Sequence, residues 1–192
     1  MNNKILVLLP VIVLLVLIFS GRFKKGPEEK STSLNMPQTT SLEPTTLNVT
    51  DNSIKYATIS TTKGDIKVEL FDKDAPKTVT NFKSKAVSNY YQGLTFHRVE
   101  DWVIQGGDPL GTGTGGGDMP TELAQTPFEI GSLGIARAGD INVSNDSQFF
   151  ICTADCSWLT GQYTNFGKVV EGLDIAQKMQ VGDKILEIKL EE

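Results

Sequence analysis

Residues 96–108 read FHRVEDWVIQGGD, and this stretch is the most informative part of the chain. Its pattern predicts two short apolar strands around a tight loop. Side chains alternate between the two faces of a strand, which predicts Phe96 and Arg98 on one face of the first strand. The same alternation predicts Val103 and Gln105 on one face of the second. A guanidinium among apolar neighbours is costly to desolvate unless it has a role, so Arg98 is a candidate functional residue.

The mixture of a long polar group with an apolar one recurs in residues 147–151, SQFFI. Here the alternation predicts Gln148 and Phe150 on one strand face. Three strands that each present such a pair are typical of a groove that grips an apolar ring and holds a polypeptide backbone beside it.

Short apolar strands continue on both sides of these motifs. We predict strands at residues 56–61, 66–70, 95–99, 103–106, 133–138, 148–153, 166–170 and 184–190. One helix is predicted to begin with Asp74 as its N-cap and Pro76 in its first turn, and a short second helix covers residues 173–179. This pattern predicts a mostly β domain, a closed eight-stranded antiparallel barrel capped by two α-helices.

The N-terminal part of the chain differs in composition from the rest. Residues 5–19 are apolar except for Pro10, which predicts an N-terminal apolar helix within a signal or anchor segment at 1–21. Residues 22–52 are rich in Ser, Thr, Pro, Asn and Glu, which predicts a disordered linker. The barrel domain then covers 53–192.

The location of the domain is left open between three alternatives. The apolar stretch is shorter than most membrane-spanning helices, and three cations (Arg22, Lys24 and Lys25) follow it, which favours a cytoplasmic C-terminus. We nevertheless favour an uncleaved membrane anchor with an extracytoplasmic domain. The alternatives are secretion after signal cleavage, and a cytoplasmic domain.

Composition excludes several classes of function. The net charge of −5 and the lack of a basic run in the predicted domain argue against nucleic-acid binding. The chain has one histidine, His97, and two cysteines, too few for a usual His/Cys zinc site. Residues 111–117 contain the pattern G-x-G-x-x-G, but Pro120 and Pro127 prevent the helix that a dinucleotide site needs, so a surface loop is predicted.

Cys152 and Cys156 lie four residues apart at the end of a predicted strand. A fully extended chain would separate them by about 13 Å, too far for a disulfide. A turn at residues 154–155 could bring them together, but we expect two free thiols.

Five motifs together make the chain resemble the cyclophilin family of peptidyl-prolyl cis/trans isomerases, across residues 56–190. In chain order they are FHR (96–98), QGGD (105–108), ARA (136–138), SQFFI (147–151), and WL (158–159) followed by FGKV (166–169). The order and spacing of these motifs make the match specific. The resemblance implies an eight-stranded antiparallel barrel with two helices, rotation of X–Pro bonds in folding proteins, no cofactor and no metal.

The resemblance also implies roles for individual residues. Arg98 corresponds to the catalytic arginine and Gln105 to the glutamine that orients it. The proline pocket corresponds to Val103, Phe150 and Leu159, and its aromatic wall to Trp102. The edge that holds the residues before proline corresponds to Ala136, Arg137, Ala138 and Gln148. Trp158 corresponds to a tryptophan associated with cyclosporin binding. The implied partners are proline-containing polypeptides and cyclosporin-like ligands, bound by a monomer, with the membrane contacted through the N-terminal segment.

The chain departs from the family pattern at four places. Six residues separate Arg98 from Gln105, where members of the family commonly have seven. Val103 replaces a common methionine, Tyr163 replaces the usual histidine of the groove, and Arg137 replaces a common asparagine. Because Arg98 is kept, we expect catalysis, with an altered preference for the residue before proline. The shorter loop and Arg137 favour the alternative, a non-catalytic scaffold that binds proline-containing peptides.

Overall fold

The computed structural model of the protein describes residues 53–192. The predicted anchor at 1–21 and the predicted linker at 22–52 lie outside the described residues. Across residues 53–192, none of the helices has the length and apolar character that crossing a membrane requires.

The described residues are mostly β. The strands are β1 (Tyr56–Thr61), β2 (Gly64–Leu70), β3 (Arg98–Glu100), β4 (Val103–Gly106), β5 (Asp118–Pro120), β6 (Ser132–Ile135), β7 (Val143–Asn145), β8 (Phe149–Cys152), β9 (Asn165–Glu171) and β10 (Ile185–Glu191). The helices are α1 (Pro76–Val87), α2 (Leu173–Ala176) and a 3-10 helix (Ser157–Leu159). The eight predicted strands are thus present, and β5, β7 and the 3-10 helix are additions that the sequence did not reveal.

Eight strands form one antiparallel sheet in the order β10-β1-β2-β9-β6-β8-β4-β3, and β5 pairs with β7 separately. The sheet is strongly curled into a half-barrel. Its end strands, β3 and β10, are not ladder partners in residues 53–192; an isolated bridge between Thr95 and Lys184 connects the segments beside them. The predicted closure of the barrel is therefore not shown.

Both faces of the central strands of the sheet are buried. On β8, Phe149 and Ile151 point into the main core, which also contains Phe82 of α1, whereas Phe150 and Cys152 point to the other face. That second face carries a smaller apolar cluster with Val103 of β4. Fully buried strands of this kind show continuous apolar residues rather than alternation, as the FFIC sequence of β8 does.

Two predicted details of the local structure are wrong. Phe96 does not share a face with Arg98: it precedes β3, where strand alternation does not apply, and its ring packs in the main core against Phe149. Asp74 does not cap α1, because the N-cap residue is Ala75, and the N-cap makes no side-chain hydrogen bond to the helix. Glu122 from a distant loop accepts the backbone N–H of Thr78 at 2.8 Å and so satisfies that end of the helix.

The prediction of two free thiols is also wrong, because Cys152 and Cys156 form a disulfide. The extended geometry assumed for this spacing ends with β8 at Cys152. The chain then turns, and the two Cα atoms lie 6.3 Å apart, within the range that a disulfide spans. The disulfide therefore joins β8 to the start of the 3-10 helix.

Candidate functional site

The register of four adjacent strands places the key side chains in one row. Arg98 of β3 is the cross-strand partner of Gln105, Gln105 is the partner of Phe150 on β8, and Phe150 is the partner of Gly134 on β6. Directly opposed side chains on one face of a sheet lie in contact distance of each other. The fold thus brings a cation, an amide and an aromatic ring side by side on the second face of the sheet.

The Arg98 guanidinium is held by a short chain of hydrogen bonds. Nη1 of Arg98 donates to Oε1 of Gln105 at 3.1 Å, and Nε2 of Gln105 donates to Oε1 of Gln148 at 2.9 Å. Nε2 of Gln148 in turn donates to the backbone carbonyl of Gly115 at 2.8 Å. Both glutamines are buried, so each polar atom needs these partners, and the relay limits how Gln105 can be oriented.

The glycine-rich segment 111–117 is a loop, as predicted, and it is ordered around Asp108. The carboxylate of Asp108 accepts hydrogen bonds from the backbone N–H groups of Leu110, Thr112 and Gly113. Burial alone would raise the pKa of Asp108, but these three backbone hydrogen bonds outweigh it and lower the pKa below its ordinary value. The loop therefore presents the Gly115 carbonyl to Gln148 in a defined position.

An apolar pocket lies beside Arg98. The Phe150 ring stacks on Phe128, with centroids 5.8 Å apart, and meets the Tyr163 ring edge-on at the same distance. Val103 and Leu159 are buried in the same cluster. The resulting groove has a volume of about 340 Å³. Its lining comprises Arg98, Trp102, Val103, Gln105, Ala136, Arg137, Phe150, Trp158, Leu159, Gln162 and Tyr163.

One wall of this groove depends on the 3-10 helix and hence on the disulfide. The 3-10 helix follows Cys156 directly and carries Trp158 and Leu159. Leu159 is buried in the pocket, while Trp158 is about half exposed and packs edge-on against Trp102 at 5.2 Å. The disulfide therefore anchors the segment that supplies this wall.

Arg137 adds a second cation at the other side of the groove. Its guanidinium lies 4.4 Å from the centroid of the Tyr163 ring. Nε donates to the backbone carbonyl of Gln162 at 2.9 Å, and Nη1 donates to that of Ala138 at the same distance. The head group is thus fixed along the groove edge and remains accessible from solvent.

The structure brings together all the predicted site residues except Ala138 and Gln148 in the lining of one groove. Ala138 is exposed beyond the groove edge, and Gln148 lies behind Gln105 as part of the hydrogen-bond relay. The sequence patterns did not indicate two further residues: Gln162, which lines the groove, and Glu100, which accepts a hydrogen bond from Nε of Arg98. Gln162 carries no pattern signal, but Glu100 lies two residues after Arg98, and strand alternation could have identified it.

The chemistry that this groove allows is limited to binding, orientation and charge stabilisation. The nitrogen-bearing side chains that line the groove are two guanidiniums, two amides and two indoles, which neither attack as nucleophiles nor exchange protons near neutral pH. In residues 53–192 no group of three or more His, Cys, Asp or Glu side chains is placed to hold a metal ion. A cation above an apolar pocket suits a ligand with a compact apolar ring and an adjacent polar backbone.

Comparison with known proteins agrees with this geometry. Residues 56–190 match the family model of cyclophilin type peptidyl-prolyl cis-trans isomerases. A peptidyl-prolyl cis-trans isomerase of Helicobacter pylori (strain ATCC 700392 / 26695) is 47% identical over 137 residues, which cover 68% of this chain and 83% of the relative. One from Synechococcus elongatus is 42% identical over 139 residues, with 70% of this chain and 94% of the relative covered.

A solved structure shares both fold and sequence with the described residues. It is a cyclophilin type peptidyl-prolyl cis-trans isomerase of Cryptosporidium parvum, crystallised in the presence of the dipeptide Ala-Pro. The TM-score is 0.66 with 31% identity, over 71% of this chain and 99% of that one. The row of Arg98, Gln105 and Phe150, the apolar pocket beside it, and these likenesses lead to one conclusion: the chain belongs to the cyclophilin-type peptidyl-prolyl cis-trans isomerases and is an enzyme of that class.

Proposed function

We propose that this enzyme accelerates X–Pro rotation in folding polypeptides by using Arg98 to stabilise the twisted amide. The single observation that carries the mechanism is the position of the Arg98 guanidinium, which lines the same groove as Phe150 and Leu159 and is tied to Gln105. A proline ring in the pocket would bring its imide nitrogen near this cation.

The barrier to X–Pro rotation comes from conjugation of the nitrogen lone pair with the carbonyl, and it amounts to about 18–20 kcal/mol for a peptide bond. In the twisted form the lone pair is localised on nitrogen. A guanidinium aimed at that nitrogen donates a hydrogen bond that is stronger in the twisted form than in either planar isomer, which is the condition for catalysis. A rate gain on the order of 10⁵ would require about 7 kcal/mol.

The remaining groove residues hold the substrate still while the bond rotates. The apolar cluster of Val103, Phe150 and Leu159 fits the pyrrolidine ring, because it is buried and carries no charge. The fixed guanidinium of Arg137 lies along the groove edge, where it favours substrates with an acceptor or an acidic side chain near the proline. Because an arginine keeps its proton near neutral pH, we expect turnover to change little between about pH 6 and 9.

The test is turnover of a proline-containing peptide by the unmodified protein and by Arg98→Ala. We expect kcat/KM to fall by about 100-fold in the variant while peptide binding is largely kept, since the arginine acts in the transition state. Lys178→Ala, which removes an exposed cation on the segment after α2, is the matched control and should be unchanged. If the unmodified protein binds the peptide but only matches the uncatalysed rate, the groove serves as a non-catalytic scaffold instead.

We further propose that the domain acts outside the cytoplasm, attached to the membrane through residues 1–21 and the linker at 22–52. Two features support this location: the apolar stretch at 5–19, and the Cys152–Cys156 disulfide, a bond that persists in oxidising compartments. Protease added to intact cells should then digest the domain, and the mature protein should keep its original N-terminus. A processed N-terminus would indicate secretion, and protection from protease would indicate a cytoplasmic domain.

A further inference from the structure

Glu100 contacts the Arg98 guanidinium directly. Oε1 of Glu100 accepts a hydrogen bond from Nε of Arg98 at 2.7 Å. The two residues lie two positions apart on β3, so their side chains emerge on the same face of the strand. Glu100 therefore holds one edge of the guanidinium while Gln105 holds Nη1 from the neighbouring strand.

Together these two acceptors leave a defined part of Arg98 free. The single N–H of Nε donates to Glu100 and one N–H of Nη1 donates to Gln105, whereas Nη2 has no hydrogen-bond partner among residues 53–192. Trp102 limits movement from a third side, because its ring centroid lies 5.5 Å from Cζ of Arg98. A planar fork fixed at two nitrogens can turn only slightly, so Nη2 has a restricted direction.

We propose that Glu100 is a positioning residue for catalysis, which fixes the Arg98 guanidinium so that its free Nη2 edge addresses the prolyl nitrogen. The inference rests on the proposed function of Arg98. Glu100 itself lines an adjoining cleft rather than the groove, so it acts through Arg98 and not on the substrate.

A nearby carboxylate could also weaken catalysis, by reducing the positive charge that Arg98 offers to the substrate. The exposure of the pair decides between the two effects: the side chain of Arg98 is 41% exposed and that of Glu100 is 47% exposed. The charge–charge interaction of such an exposed pair is weak because water surrounds it, whereas the direction of a 2.7 Å hydrogen bond is set by geometry. Orientation is therefore the larger effect.

The carboxylate is in its accepting form under working conditions. The hydrogen bond from Arg98 lowers the pKa of Glu100 below its ordinary value, against a smaller opposing effect of burial. Glu100 thus stays ionised at neutral pH, in the form that accepts the hydrogen bond from Arg98.

The test compares Glu100→Ala and Glu100→Gln in peptide turnover. Exposed ion pairs have small energies, so we expect Glu100→Ala to lower kcat by about 2- to 5-fold with KM nearly unchanged. Glu100→Gln keeps an oxygen that can accept from Nε and should recover most of this loss. Asp101→Asn is the matched control: it removes an exposed carboxylate from the next residue, which makes no hydrogen bond to Arg98, and should not change kcat.

Nitrogen-15 NMR of the Arg98 Nε–H gives a second readout that does not depend on turnover. We expect a distinct, slowly exchanging signal in the unmodified protein and in Asp101→Asn. In Glu100→Ala this signal should move to the position of a free arginine. Equal kcat for Glu100→Ala and the control, or an unmoved signal, would overturn this inference alone. Absence of catalysis by the unmodified protein would overturn the proposed function and this inference with it.

Discussion

Phe150 and Gly134 are direct cross-strand partners, and the Phe150 ring lies over the backbone of Gly134. A Cβ atom at position 134 would lie 2.2 Å from Cζ of Phe150, far inside van der Waals contact. The missing side chain at 134 thus leaves the space that the Phe150 ring occupies. Gly134 does not have a positive φ, so its backbone conformation does not require glycine. Glycine is needed at this position because of the space that it leaves for the ring.

The first prediction is that Gly134→Ala impairs the pocket. The added methyl group forces the Phe150 ring out of place, and overpacking of this kind typically costs about 1–3 kcal/mol of unfolding free energy. We expect kcat/KM to fall by about 10-fold, because substrate positioning is sensitive to small displacements. Peptide turnover and urea unfolding measure the two effects.

Gly139→Ala is the matched control for this change. A Cβ atom at Gly139 would have no neighbour within 4 Å, so the same substitution should leave both stability and turnover nearly unchanged. Wild-type turnover by Gly134→Ala would show that the ring position at 150 is not needed for the pocket.

The second prediction concerns the disulfide between Cys152 and Cys156. Closing so short a loop restricts the unfolded chain only moderately, so reduction should lower the free energy of unfolding by about 2 kcal/mol. Turnover should fall as well, because the 3-10 helix with Leu159 begins directly after Cys156. Urea unfolding with and without a thiol reductant measures the change in stability.

Cys156→Ala provides the control for effects of the reductant itself. This variant lacks the disulfide, so the reductant should not alter its unfolding midpoint or its turnover. If the unmodified protein has the same midpoint in both conditions, the disulfide does not contribute to stability.

The third prediction is a pH dependence of stability from Asp108. Its pKa is lowered in the folded protein, so its contribution to stability is complete above its ordinary pKa and is lost as the pH falls through the lowered value. Asp108→Asn should therefore be less stable than the unmodified protein by about 1–2 kcal/mol near neutral pH. The difference should shrink as the pH falls below about 4, where the carboxylate is protonated first in the unfolded chain and, at lower pH, in the folded protein.

Asp118→Asn serves for comparison, because Asp118 is also an aspartate but is exposed on β5. Unfolding of all three proteins in urea across this pH range gives the required free energies. A difference between Asp108→Asn and wild type that persists unchanged into acid would rule out the carboxylate as its source.

The predictions from sequence succeeded where a periodic signal was strong. The strands around Arg98, Gln105 and Phe150 follow from alternation and apolar runs, and α1 follows from the helical spacing of Val79 and Phe82. The elements that were missed, β5, β7 and the 3-10 helix, are three residues long each, which is too short for any period to appear. The family motifs identified the groove residues because those motifs are properties of the sequence alone.

Most of the errors concern contacts between residues that only the path of the chain brings together, whereas the wrong face predicted for Phe96 reflects where β3 begins. The disulfide was not expected because the turn after Cys152 leaves no pattern, and Glu122 could not be recognised as the cap of α1 because it lies far away in sequence. The same holds for the relay from Gln105 through Gln148 to Gly115.

The sequence by itself determined which side chains this enzyme has available and on which strands they lie, since alternation and motif spacing are local properties of a chain. Only the tertiary structure decided how the Arg98 guanidinium is held, because Gln105 approaches it from a neighbouring strand and Glu100 from its own. It also decided that Phe150 lies over Gly134 and that Cys156 secures the pocket wall. Those relationships arise from strand register and chain turns, which bring together residues that no local pattern connects.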